Sequence, residues 1–242
     1  MKSPILLLLL LCLFSCQSVS IKNRKYKVAD ATTEIASIGQ SKSFLYKNDF
    51  STKVFPILEN KIRVDLSIVP FNKKLNKTYL QKTKFNQNQP KVNYVDSLET
   101  KPEMITLSIL DMQGYISEIN SEQNQQVLTY LKDTKKSKVI TSIATTLSSD
   151  NIEKIRQADT YYLTNSSNKK YTLVLYKENK KIQTIDLQSG IVIGYELSKC
   201  CWALNKKHQW YLADIVKECN SCKGSTYSKI KENKQNKSLF KM

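Results

Sequence analysis

The stretch from Thr160 to Leu197 constrains the fold more than any other part of this 242-residue chain. Four short runs, Thr160-Tyr161-Tyr162-Leu163-Thr164, Tyr171-Thr172-Leu173-Val174-Leu175-Tyr176, Ile182-Gln183-Thr184-Ile185-Asp186-Leu187 and Ile191-Val192-Ile193-Gly194-Tyr195-Glu196-Leu197, are rich in β-branched and aromatic residues. Clusters of Asn, Ser, Lys and Gly separate them. Apolar runs of strand length with such punctuation read as sheet strands joined by tight turns. The segment therefore predicts an antiparallel β-meander, and Trp202-Ala203-Leu204 and Gln209-Trp210-Tyr211-Leu212 predict a hairpin after it.

Upstream the pattern alternates in kind. Lys61 to Val69 has a period of two and ends at Pro70, which predicts a half-buried strand. Residues 72–100 are rich in Lys, Asn and Gln and read as a long loop. Met104 to Leu110 predicts a strand, and Ile116, Ile119, Val127, Leu128 and Leu131 fall at helical spacing, so one amphipathic helix is expected to end near Lys132. Val139 to Leu147 is β-branched and Thr-rich, and Ser148-Ser149-Asp150 forms a cap before a short helix at Ile152 to Arg156. Strand, helix, strand, helix and meander together predict an α+β fold spanning 46–222, divisible into 46–157 and 158–222. Residues 16–45 read as a polar tether, and 223–242, with six lysines and one glutamate, as a basic disordered tail.

The first sixteen residues are of another kind. Lys2 precedes an uncharged apolar run from Ile5 to Phe14, which is too short to span a bilayer as a helix, since that needs about 20 residues. A basic start, an apolar centre and a small residue at the break make residues 1–15 a secretory signal. The tetrapeptide Leu13-Phe14-Ser15-Cys16 resembles the lipobox of bacterial lipoproteins, with a branched aliphatic residue, a variable residue and a small residue before the cysteine. The resemblance covers the leader only. It implies diacylglyceryl transfer to Cys16, cleavage before it, acylation of the new terminus (the palmitate-type modification of such proteins) and attachment to a membrane. Gln17 in place of Asp favours the outer membrane, and the Lys- and Asn-rich composition looks like that of Bacteroidetes. The basic residues after Cys16 favour the periplasmic face.

A formal charge of +17 raises the question of nucleic acid. The lysines, however, come as scattered pairs at turns, such as Lys73-Lys74, Lys180-Lys181 and Lys206-Lys207. Beyond Arg63 only Arg156 offers the forked donor suited to bases and phosphates. With an export signal added, the expected partners are membrane lipid, through acylated Cys16, and an envelope protein. Anionic lipid or glycan is a further ligand class, and nucleic acid is not expected.

Apart from Cys12 in the leader and Cys16, the cysteines are Cys200, Cys201, Cys219 and Cys222. An exported chain permits disulfides. Neighbouring cysteines rarely bridge each other, so Cys200 and Cys201 are expected to pair with Cys219 and Cys222 in two bridges of either connectivity. Two sharper alternatives stand beside these staples. Zinc could use the four thiolates, although Cys200-Cys201 lacks the usual spacer. Cys219-Asn220-Ser221-Cys222 could be a redox pair, although it is followed by a basic tail rather than a helix.

No catalytic set is evident. His208 is the only histidine, sits in a basic turn, and has no evident carboxylate partner. Glu118 and Glu122 could share a helix face but read more simply as a solvated one. The five glycines form neither a phosphate loop nor a nucleophile elbow. No catalytic residue, metal or cofactor is therefore expected. The function expected is non-catalytic binding or scaffolding in an envelope assembly, with a ligand- or glycan-binding lipoprotein and an envelope thiol oxidoreductase as alternatives.

Overall fold

A computed structural model describes residues 18–28, 33–44, 47–83, 92–97, 99–165 and 170–230, with side chains 42–49 left aside. The leader, Cys16 and the tail beyond residue 230 lie outside the described residues. The fold is α+β, built on an antiparallel sheet with helices on both faces. The strands are β1 (Ser18–Ile21), β2 (Arg24–Lys27), β3 (Ile38–Phe44), β4 (Lys47–Val54), β5 (Ile62–Pro70), β6 (Glu103–Ile109), β7 (Ser137–Thr145), β8 (Thr160–Asn165), β9 (Tyr171–Lys177), β10 (Lys180–Asp186), β11 (Val192–Leu204) and β12 (Trp210–Lys217). The helices are α1 (Lys73–Thr83), α2 (Met112–Asn120), α3 (Gln125–Asp133) and α4 (Ser149–Gln157).

The main path runs β1-β2-β11-β7-β6-β5-β8-β9-β10. It forks at β7, where one edge pairs with β6 at Ser142 to Thr145 and with β3 at Ser137 to Val139. β4 extends the β3 branch, and β12 pairs with β11. Because neighbouring strand residues point to opposite faces, two cores form. Ile105, Leu107, Ile143 and Val192 face a large core that α2, α3 and α4 cover through Tyr115, Ile119, Leu128, Leu131, Ile152 and Ile155. Met104, Ala144, Ile191 and Ile193 face a smaller core closed by Leu75 and Tyr79 of α1 and by Val19, Ile21 and Tyr26. Among the described residues no helix is long and apolar enough to cross a membrane.

Four expectations are corrected. Residues 18–27 are a β-hairpin and not a tether: Lys22 and Asn23 both take positive φ, as a two-residue hairpin turn requires. The apolar residues of the hairpin are buried while Lys22 and Lys25 are exposed. Ile35, Ala36 and Ile38 are likewise in the large core, so the folded part begins at Ser18 and not near residue 46. No division at 157/158 is visible, since β5 pairs with β8, β7 pairs with β11, and one core runs through both halves. Within 72–100, α1 forms because Phe71, Leu75 and Tyr79 share a helical face and the Asn72 carboxamide accepts from Leu75 N at 2.9 Å.

The helix expected to end near Lys132 is two, broken by a short 3₁₀ turn at Glu122–Asn124. Ser148 does cap α4, its hydroxyl accepting from Asn151 N. β8, β9 and β10 are neighbours in sequence and in the sheet, but the fourth strand of the expected meander leaves it, because β11 pairs with β7. The crossing is made at Gly190, where any Cβ would collide with the Thr146 carbonyl oxygen. Ile191 N donates to Thr146 Oγ1 and Thr146 N to Ile191 O, both at 3.0 Å.

Candidate functional site

The C-terminal corner gathers most of the residues the sequence singled out. β11 and β12 pair through Leu204↔Trp210, Ala203↔Tyr211 and Trp202↔Leu212. The turn between them is closed by Asn205, whose Oδ1 accepts from Lys207 N and Gln209 N at 2.9 Å each. His208 stands in that turn with a φ of 57° and is exposed.

One bridge forms, not two. Cys201 and Cys222 are bonded with Cα atoms 5.7 Å apart, while Cys200 is a buried free thiol and Cys219 an exposed one. The reason is strand geometry: adjacent residues point to opposite faces, so Cys200 turns into the large core when Cys201 turns toward the returning chain. Burial pushes the Cys200 thiol up to about 12, which keeps it protonated and poorly nucleophilic. A four-thiolate zinc site is not assembled, because two of the sulfurs are bonded to each other. Cys219, three positions from bridged Cys222, is the exposed thiol of the group.

The bridge returns the chain to the free side of β11. There Tyr227 and Trp202 exchange two backbone hydrogen bonds of 2.8 Å, so the segment expected to open a disordered tail is ordered at least as far as Ile230. Tyr227 meets Trp210 edge-on at 5.8 Å between ring centroids. The end of the hairpin thus presents Leu204 and Tyr227 (44% and 41% exposed) beside half-buried Trp210, while Tyr211 (39%) emerges on the opposite face. Lys206 and Lys207 stand in the turn that joins the two strands, and neither 199–213 nor 219–230 contains an Asp or Glu.

A second polar constellation went unread in the sequence because its members lie far apart in the chain. Arg24 Nη1 donates to Ser108 Oγ at 2.6 Å, Ser108 and Ser142 hydroxyls are 2.8 Å apart, and the Tyr26 hydroxyl lies 3.1 Å from Ser142 Oγ. Glu196 stands 3.7 Å from the same guanidinium. Desolvation raises the Tyr26 pKa, against the opposing hydrogen bond from Ser142. Beside it, Lys27 and Lys138 both pair with Glu218, at 2.5 and 3.6 Å. Burial pushes Glu218 upward, but the Lys27 hydrogen bond and the two ammonium charges outweigh it and leave the carboxyl below its ordinary range. Each of these groups has a partner, and together they clasp the β1–β2 hairpin to the sheet.

The Glu118 and Glu122 pair does not exist as a shared face. Glu118 is buried, accepting from Glu59 N at 2.8 Å, Asn60 N at 3.2 Å and Asn60 Nδ2 at 2.7 Å, whereas Glu122 lies in the following 3₁₀ turn. Fully buried Asn124 continues the network, donating to Ile57 O and Glu118 O and accepting from Ile57 N. These contacts hold the loop before β5 and offer no open carboxylate pair. No family model, curated protein or solved structure matches this chain.

Proposed function

We propose that the chain is a lipid-anchored envelope protein with a non-catalytic binding or scaffold role, its domain seated directly on the membrane that holds Cys16. The Leu13-Phe14-Ser15-Cys16 tetrapeptide supports the anchor, and the position of β1 supports the close seating. This strand starts at Ser18, two positions past Cys16, and is fixed to the sheet by buried Val19 and Ile21. Two extended residues span only about 7 Å, so an acylated Cys16 would leave no slack between lipid and fold. The outer membrane, on its periplasmic face, is the proposed site, on the strength of Gln17 and the basic residues after it. The Cys201–Cys222 bridge accords with an oxidising compartment.

The intact mass of protein purified from the membrane fraction tests the anchor. A chain beginning at Cys16 with added acyl mass, and loss of that mass in a Cys16→Ser variant, is the expected result. An unacylated soluble chain would remove the reading.

A thiol-exchange role is the second reading, favoured by exposed Cys219 close in sequence to bridged Cys222. Attack of the Cys219 thiolate on Cys222 Sγ would form Cys219–Cys222 and release Cys201 as thiolate, with no outside oxidant. A ligand- or glycan-binding role has less support, because Tyr26, Tyr79, Tyr115, Tyr171 and Tyr195 are packed in the cores and do not line an open surface.

A further inference from the structure

We infer that the outer end of the β11–β12 hairpin is a second membrane contact, seating Leu204, Trp210 and Tyr227 at the headgroup level of an anionic bilayer. The inference rests on the envelope location proposed above, and it concerns a different part of the molecule from the anchor.

Three observations combine. Large apolar and aromatic side chains meet at one end of a hairpin: Leu204 and half-buried Trp210 are a cross-strand pair, and Tyr227 packs edge-on against Trp210, with Leu204 and Tyr227 exposed. Trp and Tyr, with an apolar ring and a polar edge, prefer the boundary between lipid and water. The rim at the tip is basic, with Lys206 and Lys207 in the turn between the strands and no carboxylate in 199–213. An anionic headgroup surface complements such a rim, and each lysine held near it strengthens attachment roughly fivefold.

The corner is also held in shape. The Cys201–Cys222 bond and the paired backbone of Trp202 and Tyr227 bring Tyr227 to the hairpin, and the Asn205 side chain fixes the turn that carries the lysines. A preformed surface loses little conformational freedom on contact. Ser18 pairs with Lys27, which pairs with Tyr195, and Leu204 lies nine positions beyond Tyr195 on β11. At strand rise this is roughly 30 Å. Two contacts so far apart would stop the domain from swivelling about its lipid.

The test uses residues 17–242, which contain every described strand and helix but not Cys16, so the acyl anchor plays no part. This chain is mixed with phosphatidylcholine vesicles, with or without about one-third phosphatidylglycerol by composition. Sedimentation with the anionic vesicles alone, reversed by salt, is expected, together with a blue shift of tryptophan emission that Trp210→Phe abolishes. Lys206→Ala with Lys207→Ala should weaken binding at least tenfold, while Lys180→Ala with Lys181→Ala on β10 should leave it unchanged. An intact Cys201–Cys222 bridge, read by mass, confirms that each variant is folded at this corner. No binding, equal loss in both lysine pairs, or an unshifted Trp210 would overturn the inference. So would a protein cross-linked to this corner in the absence of vesicle binding. Failure of the anchor itself would show in the intact-mass experiment and leave this measurement unaffected.

Discussion

At the scale of single residues, the cysteines separate what the sequence could tell from what it could not. A staple at the C-terminal corner was readable from four thiols in 23 residues, and Cys201–Cys222 is that staple. The second bridge fails on a rule available from the start: Cys200 and Cys201 sit on one strand and cannot face the same way. Cys201→Ser should therefore cost about 3 kcal/mol, as the cross-link closes a loop of 21 residues, while Cys219→Ser should leave the denaturation midpoint unchanged and the bridge in place. Peptide mapping after blocking free thiols checks both, and a Cys219–Cys222 bridge found in the unmutated chain would favour the exchange reading instead. Glu118 was illegible, because nothing local shows that a carboxylate on a helix will meet the amides of Glu59 and Asn60. Glu118→Ala leaves those donors without their partner and should lower stability by about 2–4 kcal/mol, with Glu118→Gln milder, both measured by urea titration.

Elements show a different limit. α1 and the β1–β2 hairpin were hidden by their own composition: polar and basic residues outnumber apolar ones in both, and a few buried residues decide the fold. In the hairpin these are Val19, Ile21 and Tyr26, in the helix Leu75 and Tyr79, and the two groups close the same small core. Strands β5 to β9 were legible because their patterns are unbroken over several residues, whereas the partner of β11 was not, since pairing between distant strands leaves no local mark. Gly194 records one such encounter. A Cβ there would stand 2.8 Å from Tyr26 Cβ and 3.2 Å from Lys27 O, so the hairpin crosses β11 only because this position has no side chain. Gly194→Val should lift β2 from the sheet at a cost of about 1–3 kcal/mol. Hydrogen exchange would then speed up at Ser18 to Lys27 while α2 and α3 stay protected, and unchanged exchange in the hairpin would refute the packing described.

For the whole molecule, charge state and packing become one question. Thirteen tyrosines could build a core or line a binding surface, and the fold decides for the core at Tyr26, Tyr115 and Tyr171. The hydroxyls are placed by the joining of distant segments: Tyr115 donates to Ala36 O at 2.6 Å, Tyr171 to Pro56 O at 2.7 Å, and Tyr26 meets Ser142. Desolvation is the largest cause in each case, and it raises all three above the ordinary tyrosine value of 10.0. A group whose folded pKa is raised contributes stability that is complete below its unfolded pKa and is lost as pH climbs toward the folded one. The protein should accordingly hold its urea midpoint up to about pH 10 and lose it progressively above. Glu218 acts at the other end: its lowered pKa gives stability that is present above the unfolded carboxylate value of 4.5 and disappears as pH falls through the folded value. Urea titrations across the pH range, paired with tyrosinate absorbance, separate the two limbs. Tyr115→Phe should flatten the alkaline limb, since phenylalanine cannot ionise, and Glu218→Gln the acid one. If every tyrosine ionised near pH 10 with the fold intact, the three would not be buried as described, and the joining of the hairpin, the 33–38 segment and the loop before β5 to one sheet would fall with them.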